Sequence, residues 1–164
     1  MKQKRGIIIT GIILVAITAG SFTIWVMPQT TQTRIIVSDA MENLDGIIEQ
    51  QNTVADTMSE EYSRMLEGKI TPDNYIGIAQ ISSSQVNSFI IGMVQSDVPE
   101  EWRGSYAEYM GALRAYNAYL QETIVIANKL KENPASDITE DKARADAILE
   151  DVAAAADASQ KARP

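Results

Sequence analysis

The sequence predicts an all-α protein: an N-terminal transmembrane helix followed by an antiparallel three- to four-helix bundle of coiled-coil-like hairpins. Three observations predict this. Residues 6–27 contain no charged side chain. The chain beyond them repeats apolar residues at alternating steps of three and four, the spacing of one buried helix face. No segment alternates apolar and polar residues with the period of a strand.

The first element is "GIIITGIILVAITAGSFTIWVM", Gly6 to Met27. At about 1.5 Å per residue it spans roughly 33 Å, matching a hydrocarbon core of about 30 Å. A cleaved export signal has a shorter apolar core followed by small residues. Here Phe22, Ile24, Trp25, Val26 and Met27 extend the apolar run past the small residues of "ITAGS". A retained anchor is therefore expected. Trp25 suits the far interface and Pro28 ends the helix there. Lys2, Lys4 and Arg5 hold residues 1–5 in the cytoplasm and send the rest outside. Ala16 and Gly20 have the small-xxx-small spacing that lets two anchors approach. Residues 28–33, "PQTTQT", read as a polar linker.

The outer body begins at residue 34. Its first helix carries Val37, Met41, Leu44, Ile48, Gln51, Ala55, Met58, Tyr62 and Met65 on one face. Ser38 or Asp39 caps its start, and Gly68 stops it as a C′ glycine, with Ile70 folding back. Thr71 and Pro72 then restart the chain as N-cap and first helical residue. The second helix aligns Tyr75, Ala79, Ser82, Val86, Phe89 and Met93. Pro99, Glu100 and Glu101 open a third, the acids lying near its positive end. Its stripe is Trp102, Tyr106, Tyr109, Leu113, Tyr116, Leu120, Thr123, Ala127 and Leu130. Asn133 and Pro134 break it. Short connections make consecutive helices antiparallel, so residues 34–132 form an up-down-up bundle. Residues 133–164 form an alanine-rich helix from about Thr139 to Gln160, with Ala145, Leu149, Val152 and Ala156 aligned. Few large apolar groups imply slight burial, and the final "DASQKARP" is expected to be mobile.

Composition narrows function by exclusion. There is no cysteine, hence no disulfide or thiolate metal site, and no histidine, the commonest general base and metal ligand. The net charge is −8, and setting aside the three basic residues before Arg34 leaves the body at −11. Such a body has no basic surplus for nucleic acid. Glu60–Glu61 and Glu100–Glu101 lack the ligand loop of a calcium site. No catalytic, cofactor-binding or metal-ligating residue is identified, and no enzyme activity is expected.

The remaining candidates concern contact. Gly104 and Gly111 lie one heptad apart and suit a close helix approach, either inside the bundle or to a partner. Tyr119 falls off the third stripe and is expected at the surface. Ser83 and Asn87, within "QISSSQVNS", form a polar seam suited to a partner helix or water. The leading expectation is an interaction or scaffold protein of the cell envelope, binding a protein partner or its own copies. The alternative is a ligand-binding or sensing ectodomain acting through a partner.

Four stretches, "FTIWVMPQTTQT", "VSDAMENLDGI", "EGKITPDNYIGIAQISSSQVNSFI" and "EEWRGSYAEYMGALRAYNAYLQETIVIAN", carry a resemblance in this order. Together they resemble small single-pass membrane proteins of ammonia-oxidising archaea with a helical ectodomain. The resemblance covers about residues 1–131. It implies an archaeal cell-surface setting and lends no activity or site residues.

Overall fold

A computed structural model describes residues 35–164. The expected anchor, the linker, and the interface residues Lys2, Lys4, Arg5 and Trp25 lie outside them. Among the described residues no helix is long and apolar enough to cross a membrane.

The described chain is built from four helices: α1 (Ala40–Leu66), α2 (Pro72–Gln95), α3 (Arg103–Glu132) and α4 (Thr139–Lys161). Local chemistry sets their ends. The Asp39 carboxylate accepts the Glu42 N–H at 2.9 Å and caps α1. Gly68, at φ +70°, turns the chain out of α1, with its N–H donating to the Met65 carbonyl at 3.0 Å. That left-handed conformation is why glycine stands there. The Thr71 hydroxyl accepts the Asn74 N–H at 3.2 Å, and Pro72 occupies the first turn of α2.

Two features depart from the expected pattern. Ile35–Ile36 (β1) pair in parallel with Ser96–Asp97 (β2), and Val37 donates to the Asp97 carbonyl at 3.3 Å. Two residues are too few to display strand alternation, so this pairing left no periodic signal. In addition, Glu100–Trp102 form a 3₁₀ turn ahead of α3, which leaves Trp102 half-buried before the helix rather than on its stripe.

Residue pairs fix the directions. Lys131 of α3 meets Asp73 of α2, while Ser83 of α2 meets Asn117 further back along α3, so these helices run antiparallel. Lys129 meets Asp141 and Ser105 meets Ser159, so α3 and α4 are also antiparallel. The Tyr106 hydroxyl donates to the Ala40 carbonyl at 3.0 Å, which sets the start of α3 beside the start of α1. Leu44, Met58, Tyr75, Val86, Leu113, Leu120 and Ile126 are the fully buried apolar centre. Each comes from α1, α2 or α3.

α4 belongs to the same compact unit, by different means. Its one fully engaged stripe residue is Ala145; Val152 and Ala156 are half-buried, and Leu149 is exposed. Polar groups hold its ends. Asp141 is buried, with the Lys129 ammonium donating to its two oxygens at 2.7 and 2.6 Å and Arg144 bonded to it as well. Arg144 reaches on to Glu122 at 3.0 Å. The hydrogen bond from Lys129 is the main cause holding the Asp141 carboxyl below its ordinary range. At the other end, buried Ser159 donates to the Ser105 carbonyl at 2.8 Å. Arg163 donates to Asp45 of α1 at 2.6 Å. The terminal segment expected to be mobile therefore contains a fully buried serine and an inter-helix ion pair.

Candidate functional site

The structure separates the residues singled out from sequence into three places. Gly104 and Gly111 both face α4. A methyl group at Gly104 would stand 3.7 Å from the Ala162 Cβ, and one at Gly111 would stand 3.9 Å from the Ala155 Cβ. Both are ordinary contacts: Gly111 is half-buried in the α3–α4 packing, whereas Gly104 remains exposed beside the C-cap of α4.

Tyr119 is a correction. It is 7% exposed and stacks at a tilt on Tyr116, with ring centroids 5.6 Å apart. A single-stripe reading of α3 fails because α3 packs against more than one helix, so positions one step off the main stripe are also covered. Ser105, Ala112 and Ile126 are buried for the same reason.

Ser83 and Asn87 are brought together across the α2–α3 edge. The Ser83 hydroxyl donates to Asn117 Oδ1 at 2.6 Å, and Asn117 Nδ2 donates to Asn87 Oδ1 at 2.8 Å. Gln121 Nε2 lies 3.5 Å from the Ser83 hydroxyl. The helix that this polar seam holds is the protein's own α3. Asn87 itself remains exposed.

Beside that seam lies a surface the stripes did not reveal. From Asn74 to its end at Gln95, α2 has no charged residue. Gly77, Ile81, Ser84, Ser88 and Ile91 are exposed at steps of four and three, hence on one face. Ile81 is 71% exposed, Ile91 56% and Val94 62%. The Ser84 and Ser88 hydroxyls donate to the carbonyls of Gln80 and Ser84, each at 3.0 Å, so their donors are spent within the helix. Across the seam, α3 adds exposed Ala118, Gln121, Val125 and Asn128. Its one charge between Ala115 and Asn128 is Glu122, which faces Arg144 of α4. The Asp73–Lys131 ion pair bounds this neutral surface at one end and Arg114 bounds its α3 half at the other.

The other helices are dressed differently. α1 presents Glu42, Asp45, Glu49, Asp56 and Glu60 to solvent, and α4 presents Asp146, Glu150, Asp151 and Asp157. A helix face free of charge is anomalous on such a body. The face is neutral, partly apolar, and its serine donors are already bonded within the helix. Among the described residues no group of three or more carboxylates is placed to hold a metal ion.

No protein-family description, no curated protein and no solved structure matches this chain.

Proposed function

We propose that this protein is a membrane-anchored, extracytoplasmic helical interaction protein that docks an uncharged helix of an envelope partner on the outer face of α2 and the adjoining strip of α3. The observation that carries the reading is the neutral, partly apolar two-helix surface on a body of net charge −11. A charged face on such a body repels acidic surfaces and stays hydrated. A neutral face with exposed isoleucine and internally bonded serines loses little on desolvation and gains from apolar contact. Helix-on-helix docking uses such i, i+3, i+4 anchors. The uncharged run at residues 6–27 and the basic residues before it support the anchor and its orientation. The resemblance to archaeal single-pass membrane proteins supports an envelope setting.

The test is recovery of the full chain from membranes in mild detergent. The wild type is expected in a complex larger than the chain alone. The double variant Ile81→Glu/Val125→Glu is expected to run free with unchanged helicity, and Ala153→Glu on α4 is expected to behave as wild type. Retention of the complex by the double variant would remove the α2–α3 face from consideration.

A further inference from the structure

The two ends of the bundle differ in what they expose. At one end lie β1, the start of α1, the end of α2 and the start of α3: β1 pairs with Ser96–Asp97, and the Tyr106 hydroxyl donates to the Ala40 carbonyl. The end of α4 joins them, since Gly104 stands beside Ala162. This end leaves Ile36 84% exposed, Val94 62%, and Ile35 and Met41 52% each. At the other end, the connections at 67–71 and 133–138 expose no large apolar side chain. Ile70 and Ile138 are half-buried there, and Glu67, Lys69, Asn133 and Asp137 face solvent.

The apolar end is also where the chain arrives from the uncharged run. Only residues 28–34 separate Met27 from Ile35, a reach of at most about 28 Å at full extension. A tether that short holds Ile35 and Ile36 at high effective concentration against the surface the run emerges from, so weak apolar contact suffices. Adjacent residues of a strand point to opposite faces, and both isoleucines are uncovered. A partner helix would cover one face of so short a ribbon, whereas a fluid lipid interface covers both. Charge narrows the lipid. Exposed acids, Asp39, Glu42, Glu100 and Glu101 among them, outnumber exposed bases at this end. Anionic headgroups are therefore repelled.

We infer that the Ile35–Ile36 end of the bundle seats on the lipid interface, on uncharged or zwitterionic headgroups, with the two isoleucines entering the headgroup–acyl boundary. The inference rests on residues 6–27 being a retained anchor. Seating by this end keeps the α2–α3 face in water, where a partner helix can reach it.

The test uses the full chain in phosphatidylcholine nanodiscs in which some lipids carry a nitroxide near the headgroup. The chain has no cysteine, so one introduced cysteine is the sole attachment point for a fluorescent label. A label at Ile36→Cys is expected to lose most of its emission to the nitroxide. Labels at Lys69→Cys, at the other end, and Ser84→Cys, on α2, are expected to keep theirs. Met41→Cys leaves both isoleucines in place and should follow Ile36→Cys. Adding Ile35→Asp should restore emission at both reporters with helicity unchanged, and anionic lipid at low salt should restore part of it. Emission at Ile36→Cys and Met41→Cys equal to that at Lys69→Cys would overturn the seating. Loss at Ser84→Cys as strong as at Ile36→Cys would overturn it too, because the bundle would then lie on α2. A chain that does not co-elute with the discs would overturn the anchor itself, a result distinct from a retained chain with unquenched labels.

Discussion

α2 and α4 are of similar length, 24 and 23 residues, and both pack on α3, yet they are held in opposite ways. α2 is anchored by large buried side chains, with Tyr75 and Val86 fully covered, and its outer face is neutral. α4 buries alanine and is fastened near its ends by Asp141, Ser159 and Arg163, with acids outside. Apolar burial relieves the outer face of α2 of any duty in holding the helix. That α2 nevertheless presents isoleucine and valine outward, without charge, is why we propose it as a contact surface. The α4 exterior is the hydrated counterpart.

The largest break between the two should appear on truncating what each helix buries. Tyr75→Ala removes a fully covered ring and is expected to cost about 3–5 kcal/mol, in line with other large aromatic truncations. Ala145→Gly at the most buried stripe position of α4 is expected to cost about 1 kcal/mol, chiefly backbone propensity. Urea unfolding of the two variants measures the contrast, and equal losses would erase it.

A smaller effect, of opposite sign on the pH axis, sharpens the same contrast. The folded-state pKa of Asp141 is depressed, mainly by the Lys129 hydrogen bond. Its contribution is complete above the ordinary carboxylate value and is lost as pH falls through the folded value. The hydroxyl of Tyr75 is shifted upward, mainly by burial. Its contribution is complete below the ordinary tyrosine value and is lost as pH rises through the folded one. Tyr109, pushed up to about 12 by burial, acts in the same direction. Hydrogen exchange should therefore show α4 loosening first in acid, and the packing of α2 on the tyrosine core loosening in alkali. Simultaneous loss of protection in both helices at the acid end would contradict the separate fastening of α4.

Local signals in the sequence carried much of this architecture. Asp39, Gly68, Thr71 and Pro72 act at their own positions, so the ends of α1 and the start of α2 were legible without knowledge of the fold. Leu44, Met58 and Met65 follow one helical period and are buried as expected. What escaped depended on neighbours. Met41 is on the α1 stripe yet 52% exposed, because the covered face at this end of α1 runs through Ala40 and Leu44, one position off it. Tyr119 is covered because α3 has several partners, a number no period in α3 encodes. The polar seam at Ser83 and Asn87 was legible as a seam, but its occupant, Asn117, lies 34 residues from Ser83. The neutral surface escaped for a similar reason. Its α2 and α3 halves are distant in sequence and become one patch only after the two helices pair.

The most direct measurement of the docking face is photocrosslinking in intact cells from single sites on these two helices. A photoreactive side chain at Ile81 should give a discrete adduct with the envelope partner, and the same group at Glu150 on α4 should give none. Adducts from Glu150 as strong as those from Ile81, or none from Ile81 while the complex persists, would contradict a contact surface on α2.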